Sequence, residues 1–338
     1  MKKLILIVGC LALSVSIYAQ SESVMKLMDS LSKNKYDNVD FSGGGFAIVS
    51  LNGKYGFIDT TGKEVIPLKY DGAGYFRESF ASVKLNGKWG FIDTIGNVII
   101  PLKYDYADDF IKGFSVIRKN KKCGFIDRTG KEITPPKYDD AGNFSEGFAL
   151  VVLNDKYGFI DTTGTVVIPL KYDGARDFSE GLAMVVLNNK CGFINTTGKV
   201  VIPFKYDEAT NFSEGFSTVK LNKKCGFIDR IGKVIIPLKY DDAGVFSEGL
   251  VSVRLNGKEG FIDTTGKVTI PLKYDFTDDF YEGFARVGLN HKYGFIDTTG
   301  KEVIPLKYDD THPFSNGFAD VQLDGRWFTI DKTGKIVK

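Results

Sequence analysis

The sequence predicts an all-β protein made of tandem 34-residue repeats. Three observations carry that reading. Gly-Phe-Ile recurs with its Phe at 57, 91, 125, 159, 193, 227, 261 and 295, with no insertion or deletion. Pro67, Pro101, Pro135, Pro169, Pro203, Pro237, Pro271 and Pro305 keep the same step. The composition holds 38 Gly, 27 Phe and 16 Tyr, the residues of tight turns and half-buried strands. A fixed period of this length marks a repeat architecture, and it overrides the two-domain expectation for a chain of 338 residues.

Residues 1–19 read as a secretory signal peptide. Lys2 and Lys3 precede an apolar run from Leu4 to Ile17, and Tyr18-Ala19-Gln20 offers a small residue for cleavage. The run is too short to span a bilayer. Ile7-Val8-Gly9-Cys10 also has the form of a bacterial lipobox, so a lipid anchor at Cys10 is the alternative. The expected location is the periplasm, the cell surface or the medium. Residues 20–34 read as a short helical cap or spacer, with Val24, Leu27, Met28 and Leu31 at the spacing of one helical face.

The array runs from Lys35 to Lys338. Nine units need 306 residues and 304 are present, the last copy lacking its Pro-Leu ending. Each unit reads as three strands, as in the copy that begins at Lys137. Phe148–Leu153 alternates apolar residues on two faces. Asn154-Asp155, like Asn52-Gly53 and Asn256-Gly257, is a two-residue turn that tolerates positive φ. Lys156–Asp161 is the second strand. Asp161-Thr-Thr-Gly164 closes another hairpin, with the Asp accepting turn N–H groups and the Gly left-handed. Val166–Tyr172 is the third strand, and its Pro confines it to an edge or a bulge. A loop of about ten residues then leads onward, with no helix signal. A lone three-stranded meander is marginal, so copies stack, with Phe159 and the loop Phe (Phe144, Phe178, Phe212, Phe246) as two core ladders.

Lys88-Trp89-Gly90-Phe91-Ile92-Asp93, Ile99-Ile100-Pro101 and Phe144-Ser145-Glu146-Gly147 together resemble the bacterial WG (KWG) repeat family. The resemblance spans 35–338 and implies a β-rich repeat from a bacterial source. It carries no settled activity and no catalytic residues. Only Trp89 and Trp327 keep the signature Trp. Tyr55, Tyr157, Tyr293, Cys123, Cys191, Cys225 and Glu259 take the other places. A column that accepts Trp, Cys and Glu is expected to be half exposed, because an unpaired buried carboxylate is costly. Its aromatic members Tyr55, Trp89, Tyr157, Tyr293 and Trp327 are the candidate ligand contacts.

Little else points to chemistry. Lys2 and Lys3 account for the whole excess of 44 basic over 42 acidic residues, so the array has no net field for nucleic acid. The cysteines of the array are expected as free thiols, about 14 Å apart in adjacent copies if strands continue side by side. His291 and His312 sit in a turn and a loop. The Asp-Thr-Thr-Gly turns lack the ligand spacing of a calcium loop. No catalytic motif is present, and no cofactor or metal is expected. Two columns vary from copy to copy, stepping by 34 from Ile48 to Asp320 and from Ser50 to Gln322. A solvent face and a recognition surface both produce such columns.

These features make a secreted or envelope-associated, non-enzymatic scaffold for protein or glycan partners the first expectation. A carbohydrate-binding module using the aromatic column is the alternative, and a glycoside hydrolase a distant third. The expected arrangement is an open superhelical array of nine units, with a closed β-propeller as the alternative. Small-angle scattering separates them: a compact globule of this size has a radius of gyration near ~19 Å. A clearly larger value in a monomer is expected, and a value at the globular limit favours the propeller.

Overall fold

The computed structural model describes residues 35–40 and 45–337, so the leader and the cap helix lie outside the described residues. The chain divides into two compact units. One runs up to Asp155 and includes Ile160–Val166; the other holds Lys156–Phe159 and everything from Val167 onward. The division passes through the fourth repeat. Among the described residues there is no helix long and apolar enough to cross a membrane.

Each repeat is one antiparallel sheet with its strands in chain order. The first sheet holds β1 (Asn38–Asp40), β2 (Phe46–Leu51), β3 (Lys54–Asp59) and β4 (Glu64–Tyr70). The second holds β5 (Gly72–Ala73), β6 (Ala81–Leu85), β7 (Lys88–Ile92) and β8 (Val98–Tyr104). Eight sheets therefore have four strands rather than the three expected. The extra strand comes from the loop: Gly72 and Ala73 pair with Lys84 and Val83, giving partners to backbone groups that a free loop would leave unpaired. Four strands is the usual number in a propeller blade, so strand count no longer argues for the open array; nine copies remain outside the usual blade number.

The turns follow the chemistry of their residues. Asn52 and Gly53 have φ of 50° and 72°, as a type I′ turn requires. Asp161 Oδ1 accepts from Thr163 N, Thr163 Oγ1 and Thr165 N, and Gly164 has φ of 84°. A third tight turn lies inside the connecting loop. Glu180 and Gly181, at φ of 53° and 77°, form a bridge between Ser179 and Leu182. The Glu carboxylates of these turns chain one repeat to the next: Glu78 accepts from Gly113 N, Glu214 from Gly249 N and Glu282 from Gly317 N.

Pro67 lies on an edge strand, beside a break in register between β3 and β4. There Gly56 meets its neighbour closely: a Cβ on it would lie 2.6 Å from Ile66 O. The ninth sheet has three strands, and Phe328 takes the place of that glycine. With no fourth strand crossing there, a side chain fits.

The core lies between sheets. Phe57, Ile66, Tyr70 and Phe76 pack against Ala81, Val83 and Ile92 of the next sheet. The same set recurs as Phe91, Ile100, Tyr104 and Phe110 against Ile117 and Ile126. The middle of the second strand is buried on both faces, Phe57 toward one neighbour and Ile58 toward Tyr36, Ala47 and Val49. The two expected Phe ladders meet: Phe159 and Phe178 are 4.9 Å apart edge to face, Phe227 and Phe246 5.0 Å. On the ninth sheet the Phe position becomes Thr329, which donates to Asp320 Oδ1 at 2.7 Å, so that face is polar.

An aspartate clamp repeats beside the core. Asp71 Oδ1 takes the ammonium of Lys54 at 2.6 Å, and its Oδ2 takes Asn86 N at 2.7 Å. Equivalent clamps centre on Asp105, Asp207, Asp241, Asp275 and Asp309. Each joins a lysine of one repeat to the first turn of the next. The lysine and the turn N–H hold Asp71 below the usual carboxylate range. The Thr163 hydroxyl and turn amides do the same for Asp161.

Two outcomes follow. Groups with lowered folded-state pKa contribute stability above the unfolded carboxylate pKa and lose it as pH falls through the folded value. The urea midpoint should be flat near neutrality and drop below about pH 4. A midpoint that rises on acidification would overturn the clamp's role. Separately, Phe159→Ala should cost about 3–5 kcal/mol in urea denaturation, while Tyr157→Ala on the half-buried column costs about 1 kcal/mol. Equal losses would mean that the two columns are misassigned.

Candidate functional site

The signature residue sits next to a rim shared by adjacent sheets. It lies directly opposite the second variable column, as in Trp89 opposite Lys84 and Glu259 opposite Arg254. The two-residue strand adds one more residue to each copy of the rim. So the two variable columns and the signature column come together there. The first variable column is less exposed than a plain solvent face: Ser82, Val116, Met184 and Thr218 are buried.

The expectation of a half-exposed signature column holds in part. Tyr55, Trp89, Tyr157 and Tyr293 are half-buried, and Trp327 is 46% exposed. Cys123, Cys191, Cys225 and Glu259 are buried, which corrects that reading. The five aromatic residues are one per sheet and interrupted by these others, so they form no continuous platform. Trp89 meets Tyr106 edge to face at 5.7 Å, Tyr293 meets Phe276 at 6.0 Å, and Trp327 stacks on the exposed His312 at 4.8 Å. The three described cysteines are free, as expected. The geometry behind that expectation differs, because adjacent copies are separate sheets packed face to face rather than neighbours in one sheet. Burial raises the Cys191 and Cys225 thiols, so neither is an activated nucleophile.

Glu259 is buried because its charge is met. Oε1 accepts from Arg254 Nε at 2.8 Å and Nη2 at 2.5 Å. Oε2 accepts from Thr277 N at 2.6 Å and Thr277 Oγ1 at 3.0 Å. Six other repeats have Ala at the position of Thr277. The copy after it also has Thr, at 311, where the signature residue is Tyr293, so the hydroxyl does not track the carboxylate; the departure that the sequence carried, and that was missed, is Glu259 with Arg254 opposite it. Beside them opens a cavity of about 250 Å³ lined by Asp242, Gly244, Ser252, Arg254, Glu259, Thr277, Asp278 and Asp279. Partial desolvation raises the Asp279 carboxyl, and Asp278 adds repulsion. Arg286 binds Asp278 Oδ2 at 2.7 Å and lies over the Phe276 ring at 4.7 Å.

A second cavity, of about 290 Å³, lies on the same rim. Its floor holds Met184, Cys191, Ala209, Val219 and Cys225, and its mouth Arg176, Glu208, Thr210, Lys220 and Asp242. Lys220 pairs with Glu208 at 3.1 Å. Among the described residues no three His, Cys, Asp or Glu side chains are placed to hold a metal ion. The rim is thus a mixed-charge surface with small apolar-floored recesses.

The WG-containing repeat model matches nine times in succession, over 33–55, 55–89, 89–123, 124–157, 157–191, 192–225, 226–258, 260–293 and 293–327. The chain belongs to the WG repeat family. No curated protein matches it. Among solved structures it is similar to a eukaryotic initiation factor, at 11% identity and a TM-score of 0.51, over 84% of this chain and 92% of that one. That likeness concerns fold alone, of a β-propeller-like kind. Hsv2p of Kluyveromyces lactis (11% identity, TM-score 0.36, 66% and 91% covered) and the dihydro-heme d1 dehydrogenase NirN (12%, 0.38, 89% and 71%) are more distant.

The WG repeat's own alternatives give a test of the buried pair. Glu259→Tyr installs the residue that repeats 1, 4 and 8 carry there. A buried ion pair replaced by a well-packed apolar group is neutral or stabilising by up to a few kcal/mol. The variant should unfold at an unchanged or higher urea concentration. A fall as large as that of Phe159→Ala would show that the pair is needed for folding.

Proposed function

We propose that this WG repeat protein is a non-enzymatic binding scaffold, exported to the envelope or beyond, that holds a protein partner on the rim of repeats 5–8. The observation that carries this reading is the division of labour among columns. Residues that stay constant from copy to copy build the core and the turns. Those that vary converge on the rim, where both cavities open. There Arg176, Lys220 and Arg254 alternate with Glu208, Asp242 and Asp278. A surface of interleaved sign complements a partner that also carries both signs, which is the character of a protein surface. Export rests on the leader, and the non-enzymatic reading on the absence of any catalytic motif from the sequence.

Glycan binding is the second reading, and the exposure of Trp327 favours it. Tryptophan fluorescence that shifts on polysaccharide titration, and stops shifting in Trp327→Ala, would support it over the protein reading.

The main test is affinity capture from the native envelope with wild type and with Arg176→Glu/Lys220→Glu. Both positions line the second cavity. Capture of a specific protein should fall more than about tenfold in the variant, since each lost charge contact at an interface centre is worth a kcal/mol or more. Lys131→Glu, on a second-turn tip, should capture normally. Undiminished capture by the rim variant, with unchanged circular dichroism, would remove the rim as the binding surface.

A further inference from the structure

The geometry points to a second surface, distinct from the rim: the outer edge strands of repeats 5–7 form a strip that docks on an anionic lipid surface. These strands are Val200–Tyr206, Val234–Tyr240 and Val268–Tyr274. Each is the last strand of its sheet and has one free edge. On each, and at the residue just before it, exposed residues recur in step: Lys199, Val200, Pro203 and Lys205, then Lys233, Val234, Pro237 and Lys239, then Lys267, Val268, Pro271 and Lys273. Ile231, at the turn between the first two groups, is 77% exposed. With sheets about 10 Å apart, the strip is about 20 Å from its first to its third strand.

Two sets of lysines in these repeats differ in their partners. Lys190, Lys224 and Lys258, on the first turns, each pair with an Asp at 2.5–2.6 Å. Those pairs also neutralise Asp207, Asp241 and Asp275, the acids that follow the edge strands. The six strip lysines have no ion pair among the described residues. Lys205, Lys239 and Lys273 are instead held over the rings of Tyr206, Tyr240 and Tyr274 at 5.0–5.1 Å, which fixes their ammonium groups at the edge. The turns that enter these strands carry Arg230, Asp229 and Asp263, position 195 being Asn where most copies have Asp, and Arg230 lies against the Glu180–Gly181 turn. Leaving aside Arg230, which lies at that turn, six lysines against two acids leave the strip at +4. The near-zero net charge of the chain hides this.

Lysine and proline alone would be ordinary protection of an edge strand against pairing. The valines are not explained that way. At the same position repeats 1, 3 and 8 carry Glu64, Glu132 and Glu302, so the fold accepts a charge there. Val200, Val234 and Val268 are 42%, 42% and 47% exposed. Apolar side chains interleaved with unpaired lysines match the interface of an anionic bilayer, where the chains enter the headgroup boundary and the ammonium groups meet phosphate. A soluble polyanion offers nothing to the valines.

The test is co-sedimentation of the full chain with two kinds of vesicle, phosphatidylcholine alone and phosphatidylcholine mixed equally with phosphatidylglycerol. Every variant keeps the same residues 1–34, so their contribution cancels. Wild type should bind the mixed vesicles and lose affinity as salt rises. Lys199→Gln/Lys233→Gln/Lys267→Gln should bind about a hundredfold more weakly, at roughly fivefold per lysine. The corresponding triple Arg variant should bind as wild type does. Val200→Ser/Val234→Ser/Val268→Ser should lose several-fold in affinity but keep its salt dependence. Undiminished binding by the Gln variant, or equal binding to both kinds of vesicle, overturns the proposal. Full retention by the Ser variant also overturns it, because the strip would then be a general anion-binding edge.

Discussion

No sheet of this protein has a core of its own. Phe57, Ile66 and Tyr70 are buried only because Ala81, Val83 and Ile92 of the next sheet cover them. The second strand of the first eight repeats is the extreme case, with Phe on one face and Ile on the other, both fully buried. Everything else follows from this dependence. The loop Phe must return to the sheet just left, and the close approach at Gly56 lets the edge strand sit near enough to seal the layer. A repeat protein is in this sense a chain of interfaces rather than a chain of domains.

Function is left to whatever the interfaces do not use. The rim residues touch the core at their base and solvent at their tips, so they can change without unstitching the stack. Glu259 marks the limit of that freedom. Seven other copies place an aromatic or sulfur side chain at a buried or half-buried spot, and a carboxylate entered only together with Arg254 and the Thr277 hydroxyl. A buried charge is tolerated where each of its oxygens has donors waiting.

Much of this was legible in the sequence. The period, the strands, the Asn-Gly and Asp-Thr-Thr-Gly turns and both Phe ladders follow from residue type and spacing. The short fourth strand was not, because two residues carry no periodicity to read. The Ser-Glu-Gly turn was hidden as well: Glu180 at positive φ contradicts local preference and is held by its neighbours. Burial of the cysteines and Glu259 escaped because exposure was inferred from tolerance to substitution, and a column at the margin of two packed sheets is buried or open according to what each copy places around it. The convergence of the variable columns at the margin between adjacent sheets is a property of the stacking, which no single repeat encodes.

The aspartate clamp has one more consequence. Asp71 reaches back 17 residues to Lys54 and forward 15 to Asn86, so it measures both hairpins at once. A residue inserted in either hairpin would move one partner out of reach and shift the Phe ladders with it. A whole repeat added or removed would disturb neither distance. The array is therefore rigid toward small changes of length and permissive toward recombination between its own copies. Such a chain can alter the extent of its rim in steps of 34 residues while every joint remains of the same kind.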